Sequence, residues 1–160
     1  MDRQEPGLGE LLRHVGELVE QGAEAHYRTM TLPLRTPYRA RYTPVLRALQ
    51  AGATTVTDLT ARTRLTQGAI SQTVALLEAD GLVERHPLQD GRKSGIALTA
   101  AGGALVEQLD RHWAATFDAI ARLEDEIGHP MRQVLDAAAR ALERESFSAR
   151  LAAVRGDADE

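Results

Sequence analysis

Residues 65–102, LTQGAISQTVALLEADGLVERHPLQDGRKSGIALTAAG, decide how the chain is read. Their spacing predicts a helix, a strand, a charged turn, a second strand and the start of another helix. Thr66 is placed as the first N-cap, because its hydroxyl can accept from the unsatisfied amides of a first turn. Ile70, Val74 and Leu77 follow at i, i+4 and i+7 and form one apolar face. Gln67, Gly68, Ser71, Gln72 and Ala75 fall on the opposite face and are small or carry neutral hydrogen-bonding groups. Gly81 sits where a helix C-terminus wants a left-handed residue. Residues 82–86 predict a strand, and 89–95 a turn with Arg92 and Lys93 at its tip. Residues 96–98 return as a strand, and Thr99 caps the next helix.

A helix of about 14 residues spans roughly 21 Å and fits the DNA major groove, which is about 12 Å wide. Gln and Ser side chains reach base edges there, and small neighbours let the backbone come close. A basic hairpin after such a helix suits the adjacent backbone or minor groove, where Arg is favoured. The predicted class is mainly α with a small β-hairpin wing, a winged helix-turn-helix.

The order Ser71, Leu77-Glu78, Gly81-Leu82-Val83, Arg85, Asp90-x-Arg92, Leu98-Thr99 and Gly102 resembles the MarR family of bacterial transcription regulators. The matching motif covers about a quarter of the chain. The family often has Thr-Arg where Ser71-Gln72 stands, so a cation is missing from this helix. It also often has two adjacent Arg after the wing Asp, where this chain has Asp90-Gly91-Arg92-Lys93. The resemblance implies that Asp90 holds the wing and orients Arg92. The candidate DNA contacts are Thr66, Gln67, Gly68, Ser71, Gln72, Arg85, Asp90, Arg92 and Lys93, since Gln can pair with adenine edges and Ser with either partner. Arg85 either touches phosphate or pairs with an acid.

The chain has 160 residues, 43% of them hydrophobic and 4% aromatic, enough for one compact domain with helical extensions. It has no cysteine, which excludes disulfides and thiolate metal sites. No apolar run is long enough for a membrane span, and residues 1–10 lack an apolar signal core. A cytoplasmic protein is expected. The net charge is −4, but from Arg28 to Lys93 ten basic residues face five acidic ones. That stretch is therefore +5 and the rest of the chain −9. Local field steers binding to nucleic acid more than the total does.

Before the motif, a helix is expected from Glu10 to about Met30, striped by Leu8, Leu11, Leu12, Val15, Leu18 and Val19. Pro33 and Pro37 interrupt the helical pattern after Met30. Thr43-Pro44 reads as a helix start, with a capping hydroxyl and proline at the first position. Residues 54–56 read as a short strand, and Thr57 as the cap of a helix over 58–64 with Asp58 at its positive end. After the wing a long helix runs from Thr99 to near Gly128, carrying Leu105, Leu109, Trp113, Phe117 and Ile120. Pro130 opens another to about Glu145. Residues 146–160 add at most a turn or remain a loose tail. The expected domains are 1–30, an N-terminal dimerisation helix, 31–98, the winged module, and 99–160, C-terminal dimerisation helices. Two modules on one duplex imply palindromic half-sites roughly 34 Å apart. The alternative is that these helices close a monomeric core.

Arg35, Arg39 and Arg41 either meet phosphate or line the cleft in which relatives bind small aromatic acids. Tyr27, Met30, Arg35, Tyr38, Tyr42, His112 and Trp113 are the candidate contacts for such an aromatic or anionic ligand. His14, His26, His86, His112 and His129 form no pair at i, i+4, so no metal or other cofactor is expected. No phosphate loop, nucleophile elbow or acid/base pair suggests an enzyme. The expectation is a dimeric, sequence-specific DNA-binding regulator, a repressor released by a small ligand. The competing reading is a winged-helix protein–protein module.

Overall fold

The computed structural model of the chain describes residues 5–35, 37–89, 91 and 94–156. They form seven helices and one two-stranded antiparallel sheet. The chain divides into two compact units, one ending at Trp113 and one beginning at Ala114.

The first unit opens with α1, Leu8–Tyr27, where Glu10 accepts from the Gly7 amide at 2.8 Å. Its stripe of Leu8, Leu11, Leu12, Val15, Leu18 and Val19 is exposed along its whole length. Only its C-terminal end, at Tyr27, is buried. Next comes α2, Tyr42–Gln50. The helix therefore starts before the expected Thr43 cap, and Pro44 is its third residue. The Thr43 hydroxyl instead meets the phenols of Tyr27 and Tyr38, at 3.1 and 3.0 Å.

Residues 54–56 form no strand. One bond remains of that expectation, the Ile96 amide donating to the Thr54 carbonyl at 2.8 Å. Val56 already belongs to α3, Val56–Arg62, which Thr55 caps rather than Thr57. Thr55 Oγ1 accepts from the Asp58 amide at 3.0 Å, and Asp58 Oδ2 accepts from the Thr54 amide and hydroxyl, each at 2.9 Å. Thr-x-x-Asp is the reciprocal cap spacing, so Asp58 selects Thr55 among the neighbouring threonines.

The next helix, α4, is Gln67–Ala79, with Thr66 Oγ1 accepting from the Ala69 amide at 3.2 Å. Gly81, at φ +71°, turns the chain into β1, Val83–Pro87. It pairs with β2, Ser94–Leu98, in the register Val83–Leu98, Arg85–Ile96 and Pro87–Ser94. Gly91, at φ +64°, lies in the connecting turn. Thr99 Oγ1 then accepts from the Gly102 amide at 3.1 Å and caps α5, Ala100–Ile127.

The core of this unit is built from Val45, Leu46 and Leu49 of α2, Leu59 of α3, Ile70, Val74 and Leu77 of α4, Leu82, Val83 and Ile96 around the hairpin, and Leu105 and Leu109 of α5. Full burial of such side chains contributes about 1.5–3 kcal/mol each. Thr73 is buried among them, its hydroxyl donating to the Ala69 carbonyl at 2.9 Å. That bond within its own helix lets a polar residue take a core position.

In the second unit, α5 ends where Gly128 adopts φ +69°. Two more helices follow, α6, Met131–Arg144, and α7, Phe147–Gly156. The second of these replaces the expected loose tail. Glu124 accepts from the Arg132 amide at 2.7 Å and from its guanidinium at 3.3 Å, which ties the end of α5 to the start of α6. Val134, Leu135 and Leu142 on α6, and Phe147, Leu151 and Val154 on α7, are exposed. No helix among the described residues is long and apolar enough to cross a membrane.

Candidate nucleic-acid interface

On α4, the three buried apolar residues Ile70, Val74 and Leu77 fix which side faces out. Gln67, Gly68, Ser71, Gln72 and Ala75 are all exposed on the other side. At about 100° per residue they fill a continuous arc of roughly 140°. Thr66 stands at the head of that arc. Its oxygen is engaged in capping, while its hydroxyl proton can still be given to an anion. No acidic side chain occupies the first turn, so the positive end of the helix dipole faces outward without a local counter-charge.

Glu78 is the one ionisable side chain within α4. It accepts from Arg85 Nε on β1 at 3.1 Å. Of the two roles set out for Arg85, the structure shows the pairing with an acid. Both groups are partly exposed, so the pair contributes at most about 1 kcal/mol. It nonetheless holds the base of the hairpin beside α4. Asp90, Arg92 and Lys93 lie outside the described residues. The described part of the connecting turn, Leu88, Gln89 and Gly91, follows Pro87, whose register partner is Ser94, at the end of the hairpin away from Val83 and Leu98.

Tyr27, Arg28, Met30, Leu32, Leu34, Arg35, Pro37 and Tyr38 line a concavity of about 270 Å³. Four of the candidate ligand contacts, Tyr27, Met30, Arg35 and Tyr38, therefore come together. Tyr42, His112 and Trp113 do not line it and are buried. Trp113 Nε1 donates to the Tyr27 hydroxyl at 3.2 Å. His112 stacks on His26 with centroids 4.6 Å apart and meets the Tyr27 ring edge-on at 4.3 Å. Burial, and secondarily His26, hold the His112 imidazole below its ordinary pKa. Burial pushes the Tyr38 phenol well above its ordinary value, so it remains a donor. Arg39 and Arg41 are exposed away from this lining, Arg41 over the Tyr42 ring at 5.9 Å. Arg28, Leu32, Leu34 and Pro37 were not expected in the lining from sequence. No pattern in the sequence signalled them: Leu32 and Leu34 flank a tight turn at Pro33, closed by the Leu34 amide donating to the Leu32 carbonyl at 2.8 Å.

A helix-turn-helix of α3 and α4, followed at once by an antiparallel hairpin, defines a winged helix-turn-helix. Residues 39–94, about a third of the chain, match the model of the MarR family, so the winged helix is similar to that of this family. A Staphylococcus aureus MepR–DNA complex is 21% identical, covering 86% of this chain and 100% of its own, with a TM-score of 0.68. A MarR-family regulator from Rhodococcus is 27% identical over 84% of this chain and 96% of its own, with a TM-score of 0.60. Bordetella bronchiseptica BpsR, whose DNA binding is regulated by 6-hydroxynicotinic acid, is 22% identical over 89% and 98%, with a TM-score of 0.53. A search of curated proteins finds no similar sequence.

Proposed function

We propose that this chain is a homodimeric, sequence-specific DNA-binding transcription regulator of the cytoplasm, a repressor that a small aromatic or anionic ligand releases from a palindromic operator. The observation that carries this reading is the exposed, uncharged polar arc of α4 beside the hairpin. Thr66, Gln67, Gly68, Ser71 and Gln72 enter the major groove, and Arg92 and Lys93, held by Asp90, grip the neighbouring backbone. Arg85 acts from the hairpin base. Residues 31–98 are the DNA-binding module, and 1–30 and 99–160 supply the dimer contacts.

The concavity between Tyr27 and Tyr38 supports the ligand part, with aromatic walls and two arginines for a carboxylate. A ligand there releases DNA only if it binds the DNA-incompetent state more tightly. The wider array of Tyr42, His112 and Trp113 then acts from behind the ligand contacts. The fold shared with a DNA complex, and with a protein whose DNA binding a small acid regulates, agrees with both parts.

The test is affinity for the promoter fragment upstream of the gene, measured against salt. A regulator loses affinity with a slope of about −0.9 per phosphate neutralised. Absence of binding to every duplex at low salt sinks the reading and leaves the protein–protein module in its place.

A further inference from the structure

Gly68 carries an observation that the fold does not explain. It lies in the first turn of α4 with an ordinary φ, and a Cβ built there meets nothing within 4 Å. None of the described residues requires glycine there, and glycine in a helix is less stable than alanine. The position lies within the exposed arc, between Gln67 and Gln72. A close approach of this backbone to an external surface accounts for it.

The chemistry of the same arc says what that surface carries. In the major groove adenine shows an acceptor, N7, next to a donor, the N6 amine, and a carboxamide matches that pair with its own donor and acceptor. Guanine shows two acceptors, N7 and O6, which call for the two donors of Arg or Lys. The helix holds no Lys or Arg, and its one charge, Glu78, is engaged by Arg85. The Ala75 methyl suits the thymine methyl.

We infer, resting on the DNA-binding reading above, that α4 reads A·T pairs at close range: the Gln67 and Gln72 carboxamides take adenine edges, and Gly68 lets the helix backbone reach the groove floor. Guanine is not read by this helix.

The test uses the full chain and a duplex selected from a random pool. Adenines of the half-site are replaced one at a time by 7-deazaadenine, which keeps its pairing with thymine but lacks N7. Guanines are replaced by 7-deazaguanine. One or two adenine positions should weaken binding about tenfold, and no guanine position should. Gln67→Ala or Gln72→Ala should abolish the penalty at its own adenine, because the bond is already gone. Gly68→Ala should raise the unfolding midpoint while weakening binding, an opposition that a merely structural glycine does not produce. A guanine penalty, or no penalty at either base while the salt slope stays steep, overturns the adenine reading and leaves DNA binding standing. Parental affinity in Gly68→Ala overturns the close approach. Failure of every duplex to bind takes down both this inference and the function beneath it.

Discussion

Three glycines of the winged helix show how differently one residue type is used. A Cβ on Gly102 would overlap the Leu82 carbonyl oxygen, which already accepts from the Thr99 amide at 3.0 Å. Backbone cannot move aside cheaply, so Gly102→Ala is expected to cost about 2–4 kcal/mol. Urea unfolding checks this through a lowered midpoint at constant slope. On Gly95 the three atoms nearest to it all belong to the imidazole of exposed His86, its partner across the hairpin. Gly95→Ala should cost well under half as much, because that ring can rotate away. Gly68, by contrast, has open space around it. Gly102 stood in the sequence as part of a motif, but its reason was not legible there, since the atom that forbids a side chain belongs to a residue 20 positions earlier. Thr43 was misread for a similar cause. Thr-Pro is good local start chemistry, and two tyrosines from other segments outcompete it for the hydroxyl. Thr43→Val leaves the Tyr27 and Tyr38 phenols short of a partner and should cost about 1–3 kcal/mol, whereas Thr43→Ser should retain most of the stability. The same urea series separates the two variants.

Among elements, the best-read were those whose signals are local. The Thr66 cap, the apolar face of α4, the Gly81 turn and the Gly128 stop depend on residues within a few positions. The strand expected at 54–56 failed because Asp58 binds Thr54 and draws Val56 into α3. These caps also set how the elements respond to acid. Hydrogen bonds from Thr54, first of all its amide, hold the Asp58 carboxyl below its usual pKa. The Arg132 amide and guanidinium do the same for Glu124. Such groups contribute stability that is present above the ordinary carboxylate range and lost as pH falls through the lowered folded value. His112 adds an earlier step. Its imidazole is depressed from 6.5 in the folded chain, so below that pH the unfolded chain takes up the proton first and stability declines. Unfolding midpoints should be flat above neutrality, fall below pH about 6.5, and fall again in the carboxylate range. Asp58→Asn should reduce the second decline, and His112→Gln the first. A profile unchanged by either variant contradicts these assignments.

At the scale of the molecule, the sequence showed apolar stripes without saying what they meet. The structure leaves the stripe of α1 exposed from Leu8 to Val19, and leaves α6 without a buried residue. Leucine and valine at helical spacing on an exposed face are a large apolar area for one chain to show to water. The exposed arc of α4 was legible because its residues are contiguous, whereas assembly depends on a surface that periodicity alone cannot assign to a second copy. If dimerisation covers α1, then Leu12→Glu and Val15→Glu should leave the helical spectrum of the chain intact, because neither side chain belongs to its core. They should halve the mass seen by sedimentation. They should also remove the concentration dependence of the parent's unfolding midpoint, which arises when folding and association are linked. Affinity for a palindromic site should drop with the mass, since one module loses the effective concentration that its twin supplies, while affinity for an isolated half-site should stay where it was. A variant that remains dimeric by sedimentation places the interface elsewhere. One that is monomeric yet binds the palindrome like the parent separates assembly from recognition.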